Sequence, residues 1–262
     1  MEQAKILVAE AEENNLRGEA YQARWERWHH CSLCEQDYHG VVNCAFSWAC
    51  WKTYVGRPEA DTARCSAMTE LGNGLQDGGH HEDALAVREA ELSTLQRLGA
   101  PAHVQLIATS NLATSYCWVN RFEEALRLRK EAYAGYSKVI GRENRGTMVV
   151  ADNYAESLIE LQRFKEAKSV LRREIPVARR VLGDCGEITL SMRMNYAMAL
   201  YRDTGAALDD LRVAVTTLEE LIRTVRRVFG GQHPLIRQYE CSLRESRATL
   251  RARESPPTKG ES

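Results

Sequence analysis

The chain reads as an all-α protein, an antiparallel helix-pair superhelix (α-solenoid) behind an N-terminal helical segment. The first observation is an echo at about 42 residues: NLATSYCWVNRFEEAL from Asn111, NYAESLIELQRFKEAK from Asn153 and NYAMALYRDTGAALDD from Asn195, with an earlier copy, ELGNGLQDGGHHEDAL, from Glu70. The second is a glycine closing each unit, Gly99, Gly141, Gly183 and Gly230. The third is helical spacing of the apolar positions inside each unit. Self-similarity at such a period marks stacked supersecondary units that bury a continuous core between neighbours. Arrays of this kind present surface to partners, so the expectation is a binding protein and not an enzyme.

Residues 1 to about 28 are expected to be helical, because Ala4, Leu7, Val8 and Ala11 recur at three- and four-residue steps. An irregular stretch, RWERWHHCSLCEQDYHG, follows. VVNCAFSWACWKTYV lacks polar residues on most faces and reads as a buried helix, ended at Gly56-Arg57-Pro58. The organisation is therefore an N-terminal segment, 1–58, and repeats over 59–252. The repeat units fall at about 62–99, 102–141, 144–183 and 187–230, with a capping helix at 233–252. The last stretch, 253–262, gains Pro, Gly and Ser and is expected to be disordered.

Within a unit the first helix carries a stripe through Leu71, Leu112, Tyr154 or Tyr196, spaced 41, 42 and 42 residues apart. A turn such as Asn120-Arg121-Phe122 or Gln162-Arg163-Phe164 leads to the second helix. That helix starts with a small residue, Ala84, Ala125 or Ala167, where the two helices approach closely. Leu98, Ile140, Leu182 and Phe229 precede the closing glycines, which can take positive φ and cap the last carbonyls. The fourth unit is about five residues longer, with an irregular turn, RDTGAALDDL.

Composition narrows the function classes. A net charge of −1 gives no electrostatic case for nucleic acid or an anionic membrane. The start has no basic and apolar leader pattern, and no run reaches the roughly 18 to 20 apolar residues needed to span a bilayer. Eight cysteines spread along helical patterns fit reduced thiols, hence a cytoplasmic location.

The pattern N-[LY]-A-x-x-[YL], then R-F-x-E-A, then [LIF]-G resembles the tetratricopeptide repeat (TPR). The 42-residue length and the ending FGGQHP resemble the long repeats of the kinesin light chain type, over about residues 62–250. The resemblance implies an α-helical superhelix whose concave groove binds peptide segments of other proteins, as a scaffold or adaptor. It does not imply kinesin transport, since the heptad coiled coil is absent. By spacing and family analogy the groove is lined by Ser66, Thr69, Asn73 and Gln76, then Ile107, Ser110, Thr114 and Cys117. Val149, Asp152, Glu156 and Ile159 follow in repeat three, and Ser191, Met194, Met198 and Tyr201 in repeat four. The residues taken as the peptide site are Asn73, Ser110, Thr114, Asp152, Glu156, Met194 and Met198. Asp152 and Glu156 at i,i+4 would disfavour a C-terminal carboxylate, which needs cationic donors, and would favour basic or neutral peptides. Two other readings stand beside this one: the acids pair with arginines of neighbouring helices, and the methionines are inter-repeat core. Asn111, Asn153 and Asn195, one position before the stripe, would either touch a bound backbone or tie helices together.

Cys31 and Cys34 have the spacing of half a zinc site. His29, His30, His39, Cys44 and Cys50 supply no convincing second pair, so no cofactor is expected. The context of Trp25, Trp28, C-x-x-C, Tyr38 and Gly40 resembles the last portion of a RING-CH-type zinc finger, over residues 1–40 only. That resemblance implies a second function, a ubiquitin-ligase-like protein whose repeats hold substrate, with an incomplete finger. Gly72-Asn73-Gly74 and Gly78-Gly79 lack the flanking strand and lysine of a phosphate loop and are expected to loosen the helix and form the turn. His80-His81 reads as a solvated turn. The arginine doublets at Arg172-Arg173, Arg179-Arg180 and Arg226-Arg227 read as the wet face of the second helices.

Overall fold

A computed structural model describes residues 1–255. The chain divides into two compact units, Met1–Arg121 and a second beginning at Phe122. In the first unit the helices are α1 (Glu2–Glu13), α2 (Glu19–Trp25), α3 (Gly40–Tyr54), α4 (Thr62–Asp77), α5 (His81–Arg97) and α6 (Ala102–Trp118), with a 3-10 turn at Glu26–Trp28. The second holds α7 (Phe122–Val139), α8 (Arg145–Glu160), α9 (Phe164–Leu182), α10 (Glu187–Tyr201), α11 (Leu208–Phe229) and α12 (Pro234–Glu254). Among the described residues there is no strand, only an isolated bridge between His30 and Asp37. Of the stretch expected to be disordered, Arg253 and Glu254 continue α12, and 256–262 lie outside the described residues.

The helix boundaries follow from a repeated way of closing a helix. In three units the residue two positions before the second helix is left-handed: Gly79 at φ +83°, Asn120 at +60° and Gln162 at +56°. The following N–H then reaches back five residues, His80 to the Leu75 carbonyl (2.8 Å), Arg121 to Tyr116 (2.8 Å) and Arg163 to Leu158 (2.7 Å). These bonds occupy carbonyls that the helix end would leave open. Asn and Gly tolerate this conformation because they avoid or offset the Cβ clash. The closing glycines also take positive φ, +64° at Gly99, +94° at Gly141, +79° at Gly183 and +86° at Gly230. Ala84, Ala125 and Ala167 are fully buried, as a close helix crossing requires.

The same device breaks the N-terminal helix expected over 1–28. Asn15 is left-handed at φ +53°, and the Leu16 N–H bonds the Ala11 carbonyl at 2.8 Å. Gly18 at φ +57° then turns the chain into α2. α3 is apolar all round but buried on one face only: Ser47, Cys50 and Tyr54 are inside, while Val41 is 78% and Trp48 42% exposed. Its buried face joins Ala4, Val8, Trp25, Trp28, Ala63 and Ala67 in one core. That core crosses the 58/59 boundary drawn from composition. Trp25 Nε1 also donates to Glu70 of α4 at 3.2 Å, and His29 pairs with the same carboxylate at 3.4 Å.

Gly78 and Gly79 form the turn, while Gly72 and Gly74 lie inside α4, buried. A Cβ on Gly72 would stand 2.6 Å from Arg88 Nε, and one on Gly74 would meet the Ser47 side chain and come within 3.0 Å of the Asn43 carbonyl. These glycines permit close approach. In the second unit a core runs along α10, α11 and α12 through Leu190, Leu200, Leu211, Leu218, Leu221, Val225 and Tyr239.

Gly74→Ala should overpack α3 against α4 and cost about 1–3 kcal/mol, read as a lower denaturation midpoint. An unchanged midpoint would mean that the helices can separate freely there.

Candidate functional site

The groove positions separate into two groups once their neighbours are placed. In the first unit, Ser66 and Thr69 of α4 and Ile107 of α6 come together in one recess of about 290 Å³. Its walls are mainly apolar, with Met68 and Cys65 from α4, Leu95 from α5, and Val104 and Ala108 from α6. Ile107 stands 46% exposed at the rim.

Glu91, in the lining of this recess, belongs to a buried ion pair beneath it. Arg88 and Glu91, one turn apart on α5, are 2% and 5% exposed and meet at 2.8 Å. An unpaired charge could not be buried at such a position. The Thr69 hydroxyl donates to Glu91, and the Asn73 side-chain oxygen accepts from Arg88. Asn73 is exposed, but its oxygen is committed to this pair. Ser110 and Thr114 are half-buried on α6, and the Thr114 hydroxyl donates back to the Ser110 carbonyl at 3.2 Å. Gln76 accepts from Ser115 at 3.4 Å.

In the second unit the groove acids are taken up by packing, which removes the basis for expecting a preference for basic peptides. Asp152 is 8% exposed, accepting from Ser191 Oγ at 2.5 Å and from Asn195 Nδ2 at 2.8 Å, both on α10. Glu156 is exposed and pairs at 3.2 Å with Arg129 of α7, which is itself 7% exposed. Arg129 also donates to the Asn153 carbonyl at 2.6 Å and to Ser157 Oγ at 2.8 Å. Met194 lies in the α10–α12 core, with Met198 packed against it. Asn195 serves helix-to-helix bonding, the second of the two readings open for the recurrent asparagines.

Burial raises the Asp152 carboxyl to about 6, against the hydrogen bonds from Ser191 and Asn195, which lower it; Glu156 adds repulsion and Arg129 attraction. A raised carboxyl favours its protonated form in the fold.

Cys31 and Cys34 sit in a tight turn. The Tyr38 N–H bonds the His29 carbonyl at 2.8 Å, and the Cys31 N–H bonds the Gln36 carbonyl at 2.8 Å. The backbone N–H groups of Cys34 and Leu33, aimed at the Cys31 sulfur, lower its thiol to about 7. Among the described residues no group of three or more His, Cys, Asp or Glu side chains is placed to hold a metal ion. The RING-CH-type reading gains no support from the fold.

Sequence reasoning missed the buried charges. Arg88 and Arg129 both fall four residues after the small residue that opens the helix, and Glu91 and Glu174 both fall seven after it. An ionisable residue recurring on the inward face of a helix was the available signal.

Residues 104–180 match the tetratricopeptide repeat family. No curated protein sequence matches the chain. Among solved structures, BtubC (BKLC) from P. vanneervenii is similar at 15% identity and a TM-score of 0.61, over 84% of this chain and 96% of that one. A putative kinesin light chain with nearly identical TPR-like repeats from Podosopora anserina is similar at 17% identity and 0.57, over 86% and 94%. A Rap protein complexed with competence and sporulation factor is similar at 15% identity and 0.53, over 80% of this chain and 59% of that one. The fold is thus all-α and of the TPR type, shared with kinesin light chain-like proteins. Among the described residues no helix is long and apolar enough to cross a membrane.

A folded-state carboxyl raised to about 6 contributes stability that is complete below the ordinary carboxylate range and lost as pH rises through 6, on the order of 3 kcal/mol for such a shift. Asp152→Asn should therefore be more favourable relative to wild type at pH 7.5 than at pH 4.5 by about 2 kcal/mol, since part of the full effect is already lost at pH 4.5, read from urea unfolding. A difference independent of pH would show that Asp152 is ionised in the fold without cost.

Proposed function

We propose that the chain is a protein–protein interaction scaffold that holds peptide segments of other proteins in the recess between α4, α5 and α6. The observation that carries this reading is the recess itself. Three positions assigned to the groove by spacing, Ser66, Thr69 and Ile107, line a concave apolar surface of about 290 Å³. Concavity with mostly apolar walls and a few polar groups is the usual character of a ligand site. The Arg88–Glu91 pair holds α5 against α4 beneath the recess, so a ligand would meet a preformed surface. A segment presenting one bulky apolar side chain fits best, since the rim offers no unpaired charge to a charged one.

The fold comparison supports the class: a structure of the same fold type is complexed with competence and sporulation factor. A scaffold role needs no catalytic machinery, and the reading is of a non-enzymatic protein. The eight cysteines, all free thiols, suit the cytoplasmic location that goes with it.

Burying a Leu, Met or Phe side chain is worth about 1.5–3 kcal/mol, which corresponds to roughly ten- to hundred-fold in affinity. Selection from a random 12-residue peptide library on the full chain should enrich segments with such an anchor. Ile107→Asp should weaken the selected peptides by at least that factor and leave the circular dichroism melt unchanged. Equal binding by wild type and Ile107→Asp would place the peptide site elsewhere.

A further inference from the structure

The second unit carries a different recess, of about 470 Å³, between α9, α10 and α11. Its lining holds four guanidinium groups, from Arg179, Arg193, Arg223 and Arg227, against two carboxylates, from Asp184 and Glu220. Each carboxylate is matched to one arginine. Arg179 meets Asp184 at 3.0 Å, and Arg193, which is buried, meets Glu220 at 2.7 Å. Two positive charges remain. Among the described residues neither Arg223 nor Arg227 makes an ion pair or a side-chain hydrogen bond.

These two arginines are four residues apart on α11, so they rise from one face of the helix about 6 Å apart. Like charges at that spacing repel and mildly destabilise a helix. Thr224 stands in the lining beside them and adds a hydroxyl. The lining of the recess thus holds two planar donor forks and a hydroxyl. A phosphate monoester carries about −1.5 to −2 charge and three acceptor oxygens at neutral pH, and the forks of arginine match it in a bidentate manner. The excess charge of the recess equals that of the ester. A carboxylate side chain would satisfy half of it, as Asp184 and Glu220 each do for one arginine.

We propose that the α9–α11 recess is a docking site for a phosphorylated side chain on a segment of a partner protein, with Arg223 and Arg227 as the paired phosphate ligands. The site shares no residue with the apolar recess of the first unit, so Ile107→Asp should leave it intact.

The test uses the full chain and three fluorescent peptide pools of random flanking sequence, centred on phosphoserine, serine or glutamate, with binding read by polarisation. The phosphoserine pool should bind at least tenfold more tightly than the other two, and raising the salt should weaken it. Arg223→Ala with Arg227→Ala should abolish the difference without lowering the melting temperature, since both side chains are exposed and unpaired. Arg223→Lys with Arg227→Lys, which keeps charge but loses the fork, should reduce the selectivity several-fold. Equal binding of all three pools would overturn the proposal. So would a glutamate pool that binds as well as the phosphoserine pool, which would mark a general acidic-segment surface. Inorganic phosphate that binds as tightly as the phosphoserine pool would make the recess a free-anion site and would also overturn it.

Discussion

Buried charge has to be paired, and most of this structure is arranged around that requirement. Arg88, Glu91, Arg129, Asp152, Glu174 and Arg193 are all less than a tenth exposed. Leaving any of them alone in an apolar setting would cost several kcal/mol. Each therefore takes partners from the helix packed against its own. Arg88 and Glu91 use Thr69 and Asn73 of α4; Arg129 uses Asn153, Glu156 and Ser157 of α8; Asp152 uses Ser191 and Asn195 of α10. Glu174 of α9 accepts from Tyr133 of α7 at 2.6 Å and is flanked by Arg142 and Arg173. These contacts set the register between neighbouring helices more narrowly than the apolar stripes alone.

The same requirement decides which surfaces remain for a ligand. Polar groups that look available on a helical wheel are spent on the next helix. One surface left in the first unit is an apolar recess above the buried Arg88–Glu91 pair. One left in the second is the reverse, a polar recess with more arginines than acids. The two surfaces ask for different chemistry, an apolar anchor in one and a doubly charged anion in the other. A scaffold with both could read two features of its clients.

The period, the helix pairs and the closing glycines were legible in the sequence because each rests on a local condition. A stripe needs only helical spacing, a close crossing needs Ala84, Ala125 or Ala167, and a helix end needs a residue that accepts positive φ. The turns at Asn120 and Gln162 were legible in place, but not their shared left-handed conformation, since glutamine at Gln162 carries no glycine-like signature. The break at Asn15 was missed although asparagine tolerates the left-handed conformation, because the apolar steps before it suggested one continuous helix. Trp48 and Val41 misled because an apolar composition in α3 does not say which faces meet a neighbour.

The site was less legible, since it depends on partners about 40 residues away. Asp152 and Glu156 look alike on a wheel, yet one is sealed by Ser191 and Asn195 while the other reaches out to Arg129. Met194 is core because α11 and α12 cover it. The central claim, that the recess of the first unit is the peptide-reading surface, is tested most directly by amide hydrogen exchange on the full chain, with and without a library-selected peptide. The account predicts slower exchange confined to residues 62–69, 91–95 and 104–108, which line the recess. Protection centred on α8 or α10, with those segments unchanged, would contradict it.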